Sequence, residues 1–428
     1  MTTALLTDRY ELTMVDAALQ AGTAGRRCVF EVFGRSLPGE RRYGVVAGTG
    51  RLLEAIADFR FGDAELGYLA DERVVADETL EWLASYRFSG DIRGYAEGDV
   101  YFPGSPILQV EGTFAEACLL ETLALSVLNY DSAVATAAAR MVSAADGRPL
   151  AEMGSRRASE RSAVAAARAA YIAGFGATSN LEAGREWGVP TMGTAAHAFT
   201  LLHGSEEEAF RAQVAAMGTG TTLLVDTFDV AAGVETAVRV AGPELGAVRL
   251  DSGDLPSLVA AVRAQLDGLG AVSTGITVTN DLDEFTIAAL RASPVDSFGV
   301  GTSVVSGSGH PACGFVYKLV AHESPSGWVG VAKRSASKAT VAGRKLPVRR
   351  LVDGVAAAEV VYVDDAPASD QGRRPLVPLV TAGEPDTAHL GRAGVERARE
   401  HHRAALAELP PAAFSLGRGA PAIPTLYP

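Results

Sequence analysis

The sequence predicts an α/β protein whose middle is built from repeated strand–helix units, flanked by regions that read as α+β. Three observations carry this. First, from Asp146 to about Leu319 short apolar runs recur, in "PLAEMGSRR", "YIAGFGATSN", "GVPTMGT", "TTLLVDTFD", "GAVRLDSGD", "GITVTND" and "SFGVGTSVV". Apolar runs without polar alternation belong to strands covered on both faces, the mark of parallel pairing. Second, the stretches between them, such as "LPSLVAAVRAQLDGLG" and "LDEFTIAALRAS", carry apolar residues at helical spacing and end near Gly or Pro. Third, the polar clusters "GSRR", "ATSN", "GTAAH", "VDTFD", "RLDSGD", "VTND" and "GTS" all fall where a strand hands over to its helix. Repeated βα units fit a barrel or a doubly wound sheet, and in both that edge binds ligands. Turn chemistry explains any one of these clusters; it does not explain why all of them share one edge.

Before residue 146, "RCVFEVFGR" and "DIRGYAEGDVYFPGSPILQVEG" read as antiparallel strands with Gly/Pro turns. "TFAEACLLETLALSVLNYDSAVATAAARMVSAA" reads as a long buried helix. Beyond Lys345 the chain turns Pro- and charge-rich. The expected organisation is an N-terminal α+β domain over 1–145, a catalytic domain over 146–345, and a segment over 346–428 that packs on the first domain and ends in an irregular tail. The basic run "KRSASKATVAGRKLPVRR" reads as a solvated face.

Composition narrows the partners. The chain has 428 residues, 48% of them hydrophobic, and a formal net charge of −13. That acidity disfavours nucleic acid, so any bound phosphate needs local Arg, Lys or backbone N–H groups. The three cysteines, Cys28, Cys118 and Cys313, are far apart, which suits reduced thiols and a cytoplasmic compartment. The N-terminus "MTTALLTDRYELTM" lacks the pattern of a signal peptide. Arg140 and Arg168 interrupt the alanine-rich stretches before they would span a bilayer, so no membrane partner is expected.

Taken in order, "LLTDRYELTM", "GSRRA", "GFGATSN", "GTAAH", "LLVDTFDV", "VRLDSGDL", "FGVGTSVV" and "GFVYKLV" resemble nicotinate phosphoribosyltransferases. The resemblance implies an irregular (β/α) barrel-like domain with a smaller N-terminal α+β domain completed by the C-terminal segment. It implies joining nicotinate to the ribose of phosphoribosyl pyrophosphate in NAD salvage, in the ATP-dependent ligase class. ATP would be a co-substrate, which gives the basic run ATP binding as its alternative role; Mg²⁺ would be the cofactor, and a homodimer with shared active sites the assembly. Such chemistry asks for a carboxylate near an oxocarbenium-like carbon, Mg²⁺ and cationic or N–H donors at the pyrophosphate, and a pyridine held in line.

His197 is either a satisfied core histidine or the family's phosphorylated nucleophile. A neutral imidazole accepts phosphate near pH 7 because its ordinary pKa is about 6.5. Ala195, Ala196 and Ala198 leave room for that phosphate; the family often has Ser where this chain has Ala198. Thr194 matches a nicotinate contact. Arg249 maps to the nicotinate-binding arginine, its planar fork suited to a carboxylate, or it pairs with Asp251. Asp251 is then placed to face the ribose or the developing positive charge, and Asp254 to cap the next helix. Gly301, Thr302 and Ser303 form either a plain strand-to-helix turn or a phosphate cradle; the resemblance assigns Thr302 to phosphoribosyl pyrophosphate. Tyr10 matches a contact to the nicotinate ring from the neighbouring subunit, with packing as its plainer role; Thr7 and Asp8 read as caps. Arg156 and Arg157 neutralise pyrophosphate or ATP phosphates, or pair with Glu152 or Glu160. Asp226 and Asn280 are candidates for ribose or for waters on Mg²⁺.

Three rival readings remain. Nicotinamide in place of nicotinate would want a carboxylate near the ring's amide, which "GTAAHAF" does not supply. A sugar-phosphate lyase or epimerase would want a strand-end Lys or a His/acid metal set. A non-catalytic dimeric scaffold would tolerate loss of His197.

Overall fold

The computed structural model describes residues 2–333, 340–367 and 369–428. The chain divides into two compact units, 1–136 with 310–428, and 137–309. The first division falls inside the helix Glu121–Ala145. The second corrects the expected end of the catalytic domain at 345. The strand Phe315–Ser324 pairs antiparallel with Arg27–Gly34, with Phe30 opposite Leu319 and Val32 opposite Tyr317, so the chain from His310 onward belongs with the N-terminus.

The α+β unit is organised on a seven-stranded sheet in the order Gly327–Gly330, Phe315–Ser324, Arg27–Gly34, Pro106–Thr113, Asp91–Tyr95, Leu376–Thr381, Glu384–Pro385. Every neighbouring pair is antiparallel. One face packs on the unit's core, where the rings of Phe30 and Tyr317 stack at 5.0 Å among Ile92, Leu108, Val110 and Leu128. Burying each large apolar side chain there contributes roughly 1.5–3 kcal/mol. The C-terminal tail is not irregular throughout: Thr425–Leu426 adds a parallel edge to Val355–Val363, which pairs in turn with Lys345–Val352.

The described part of the basic run is a solvated face only in part: Lys333 and Arg350 are exposed, but two other cations are not. Arg349 is fully buried, 3.1 Å from Asp99 and 2.8 Å from Glu359. Lys345 is buried against Glu31 at 2.7 Å. Burial by itself would raise the Asp99 carboxyl, yet Arg349, His401 and Arg373 hold it well below the usual carboxylate range. Residues 334–339 of the run lie outside the described residues, and the ATP-binding reading with them. The three cysteines are free and buried. Among the described residues no helix is long and apolar enough to cross a membrane.

In the unit 137–309, six parallel strands lie in the order Ala177–Thr178, Leu150–Glu152, Ser297–Val300, Gly275–Val278, Ala247–Leu250, Thr222–Leu224. The third apolar run, "GVPTMGT", contributes a single parallel bridge, Thr191 to Thr178. Followed round, this is the sequential order of a (β/α) barrel, broken between Thr191 and Thr222–Leu224, where no ladder joins the two edges among the described residues. Helices follow the strands, and several start on a side-chain cap that satisfies a free N–H. Asn180 accepts from Ala183 N–H at 2.9 Å, Asp229 from Ala232 N–H at 2.9 Å, and Asp283 from Thr286 N–H at 2.7 Å. Asp254 and Asp8 hold the N-cap positions of their helices, but neither makes a side-chain cap bond. Thr7 donates its hydroxyl to Glu11 instead.

Candidate active site

The carboxyl edge of the parallel sheet opens into a cleft of about 330 Å³. It brings together Arg156, Arg157, Arg249, Asp251, Asn280, Gly301 and Thr302. A second cavity of about 350 Å³ lies among the strands themselves, walled by Leu150, Met192 and Phe298, with Thr194 and Thr277 as hydroxyls. Met153 and Arg249 line both spaces. A polar cleft thus adjoins a largely apolar chamber, with one guanidinium shared between them.

Arg249 projects from the strand Ala247–Leu250 and donates from Nη1 to Thr194 Oγ1 at 2.9 Å. Its Nε is buried and has no hydrogen-bond partner. Burial pulls the guanidinium below its ordinary pKa, while Asp251 and Asp226 oppose the shift. No ion pair joins Arg249 to Asp251 among the described residues, so the plainer reading of that arginine gives way.

His197 opens the short helix His197–Leu202 rather than ending a strand. Its side chain is 41% exposed, which rules out a satisfied core histidine. Nδ1 lies 3.1 Å from Thr227 Oγ1, so a hydroxyl does meet the imidazole, from Thr227 and not from position 198. Nε2 sits between two carboxylates, 4.0 Å from Asp226 Oδ1 and 3.9 Å from Asp251 Oδ2.

Asp226 matters more than its sequence context suggested. Its side chain is 1% exposed. Oδ2 accepts from Asp251 N–H and from Ser252 Oγ, each at 2.8 Å, while Oδ1 is buried without a partner. It therefore fixes the turn that presents Asp251, whose own Oδ1 accepts from the Thr279 hydroxyl. Only Asp251 Oδ2 is left for the cleft. Nothing in "LLVDTFDV" separates Asp226 from Asp229, which turns out to be the helix cap. Met153, Thr279 and Asp281, which line the cleft, and Thr227, which meets His197, are side chains that the sequence reading did not single out.

Arg156 and Arg157 are exposed, and neither pairs with Glu152 or Glu160 among the described residues. Gly301 and Thr302 stand where Ser297–Val300 gives way to the four-residue helix Thr302–Val305. Tyr10 lies in the other unit, on the helix Arg9–Gln20, 44% exposed, in a cleft with Asp8, Glu121 and Tyr130.

These features were compared with known proteins. Residues 5–129 match the model of the nicotinate phosphoribosyltransferase (NAPRTase) N-terminal domain. Nicotinate phosphoribosyltransferase pncB1 of Mycobacterium tuberculosis is 55% identical, over 98% of this chain and 94% of its own length. The chain belongs to the nicotinate phosphoribosyltransferase family. The Bacillus subtilis nicotinate phosphoribosyltransferase is 37% identical over 86% of this chain and 78% of its own. The crystal structure of human nicotinic acid phosphoribosyltransferase superposes with a TM-score of 0.82 at 26% identity, covering 99% of this chain and 97% of that one. The α/β class and the curled parallel sheet are those of the family.

Among the described residues no group of three or more His, Cys, Asp or Glu side chains is disposed to hold a metal. Carboxylate oxygens that remain at the edge include Asp226 Oδ1, Asp251 Oδ2 and those of Asp281, which lines the cleft. They suit an ion that arrives already chelated to phosphate, since Mg²⁺ commonly takes one or two carboxylates and keeps its waters.

Proposed function

We propose that this chain transfers the phosphoribosyl group to nicotinate and couples the transfer to ATP hydrolysis through His197, as a step of NAD salvage. The observation that carries the acid substrate is the buried, unpartnered Nε of Arg249. An unsatisfied buried donor costs about 1–3 kcal/mol; a ligand carboxylate bridging the Nε–H and Nη2–H edge of the guanidinium removes that cost and gains charge-assisted bonds. The ring then rests beside Met153, with Thr194 close to the carboxylate. The names of the relatives point the same way.

In the transfer, the pyridine nitrogen attacks the anomeric carbon of phosphoribosyl pyrophosphate. The bond from that carbon to the pyrophosphate oxygen breaks, and pyrophosphate leaves with the bonding pair. Asp251 Oδ2 faces the positive charge that develops on the sugar. Arg156, Arg157 and the Gly301–Thr302 turn take the phosphates, and Asn280 the ribose. Asp226 would hold Mg²⁺ that arrives on the diphosphate, and the ion would neutralise charge on the leaving oxygens.

In the coupled reaction the reactive tautomer of His197 is the one whose Nδ1–H donates to Thr227, which leaves the Nε2 lone pair for the γ-phosphorus of ATP. A bond forms from Nε2 to phosphorus as the bond to the ADP oxygen breaks, and water later takes the phosphoryl group. Asp226 and Asp251 stabilise the cationic phosphoimidazole. Incubation with ATP and Mg²⁺ followed by mass spectrometry in alkali, where phosphohistidine survives, should find phosphate on His197. Phosphate on another histidine only, or on none, would remove the coupling and leave the transferase reading standing. Nicotinate mononucleotide formation with and without ATP tests that reading itself.

Two rivals lose ground. The residues lining the cleft include no lysine for a Schiff base, and a scaffold has no use for a half-exposed histidine between two carboxylates. For the assembly we propose a homodimer in which the exposed Tyr10 ring completes the partner's site. Mixed Tyr10→Ala and His197→Ala proteins should then regain activity in hybrid dimers. No recovery despite proven subunit exchange would place each site within one chain.

A further inference from the structure

The first strand of the parallel sheet ends in a carboxyl group that the transfer chemistry does not use. Glu152 is fully buried and is not among the residues lining the cleft. No cation pairs with it among the described residues. Its Oε1 accepts from Gly154 N–H, and its Oε2 accepts from the Thr178 hydroxyl at 2.6 Å. Thr178 Oγ1 accepts in turn from Asn180 N–H at 3.0 Å, and Asn180 Nδ2 donates to Ser155 Oγ at 2.9 Å. The bonds close a ring, from Glu152 through Thr178, Asn180 and Ser155 back to Gly154.

The ring joins the ends of two strands, and a close approach adds a third. A Cβ on Gly154 would lie 2.1 Å from Val305 Cγ1 and 3.0 Å from the Gly301 carbonyl oxygen. Met153 N–H donates to Val300 O at 2.7 Å, and Ser179 N–H donates to Glu152 O at 2.8 Å. The loop that carries Arg156 and Arg157 therefore leaves the sheet from a point wedged against the Gly301–Thr302 turn. Two exposed arginines on a free loop would hold an anion poorly, because ordering them consumes binding energy.

We propose that Glu152 is a positioning residue for the phosphoribosyl pyrophosphate subsite, holding the Gly154–Arg157 loop and the Thr178–Asn180 turn in register with Gly301–Thr302. The inference rests on the transferase reading above. A carboxyl without a cation is suited to this, because it accepts two hydrogen bonds from different strands and draws no arginine away from the cleft. Burial, opposed by the Thr178 and Gly154 bonds, raises its pKa, in keeping with the absence of a cation.

The test compares Glu152→Ala, Glu152→Gln and Thr178→Val with wild type. Melting temperatures, KM for each substrate, kcat, and calorimetric binding of phosphoribosyl pyrophosphate are measured. Glu152→Ala should raise KM and Kd for phosphoribosyl pyrophosphate by about tenfold or more, the scale of one or two lost hydrogen bonds, and change KM for nicotinate less than threefold. Glu152→Gln keeps both contacts, its amide oxygen accepting from Gly154 and its amide N–H donating to Thr178, and should restore most of the affinity. Thr178→Val removes one link at nearly constant shape and should fall between; it carries the test if Glu152→Ala does not fold. Folded variants that bind phosphoribosyl pyrophosphate like wild type would overturn the proposal. So would equal losses for both substrates in step with a lower melting temperature, or a Gln variant as impaired as Ala. Wild-type protein that neither binds phosphoribosyl pyrophosphate nor transfers from it would overturn the transferase reading, and the proposal with it.

Discussion

Replacing Arg249 with alanine is expected to erase the preference for nicotinate over nicotinamide. Wild-type protein should favour the acid by at least about two orders of magnitude in kcat/KM, because a carboxylate on this guanidinium makes charge-assisted bonds worth about 1.5–3 kcal/mol each. The geometry is specific. Nη1 is already committed to Thr194 at 2.9 Å, and Nε is buried with nothing to donate to. Burial also weakens competition from water. Arg249→Ala should lose most nicotinate activity, while the affinity for phosphoribosyl pyrophosphate changes little. Arg249→Lys keeps the charge but not the planar fork, so it should still bind nicotinate poorly. The competing assignment gives Arg249 to the phosphates, since it lines the polar cleft too. Under that assignment the alanine variant weakens phosphoribosyl pyrophosphate and leaves the acid-over-amide ratio intact. Measuring that ratio and both affinities in one variant decides between them.

Asp251→Asn should lower kcat by about 10²–10³ with small changes in either KM, the range found when one preorganised electrostatic group is removed from a transition state. Asp251 is held from two sides, its backbone N–H by Asp226 at 2.8 Å and its Oδ1 by the Thr279 hydroxyl. An asparagine can keep its side-chain oxygen on Thr279, so the turn survives while the charge is lost. The loss should therefore appear at the step where the sugar becomes cationic, not in binding. If kcat is unchanged, or if KM for phosphoribosyl pyrophosphate rises alone, Asp251 is a ligand-holding residue and another group faces the charge.

Much of the site was legible because it is local. Gly-Thr turns, the Arg-Leu-Asp strand end and the Gly-Thr-Ser turn carry their chemistry within a few residues, and Arg249, Asp251, Gly301, Thr302, Arg156, Arg157 and Asn280 do meet in one cleft. Other roles depended on burial. Asp226 and Asp229 are equivalent in the sequence, yet one is an N-cap and the other a buried carboxylate with an unpartnered oxygen facing His197. The sequence left Glu152, like Glu160, as an alternative partner for the neighbouring arginines. The Glu152 side chain instead turns inward to Thr178 and Gly154, and Arg156 and Arg157 stay exposed.

The sequence by itself determined the repeated βα units and the edge on which their polar ends gather, because side-chain periodicity and helix caps act over a few residues. It also carried the family resemblance. Only the tertiary structure decided where the units end. "GFVYKLV" has the pattern of a strand for any sheet, and its pairing with Arg27–Gly34 depends on a partner far away along the chain. The same holds for the break in the barrel. "GVPTMGT" looks like a full strand, but it makes one bridge to Thr178 and no ladder to Thr222–Leu224. The turn after it carries Thr194 to Arg249 and leads into His197, which stands beside Thr227. Hydrogen-bonding partners across a sheet are chosen by the packing of the whole unit, which no local stretch of sequence encodes.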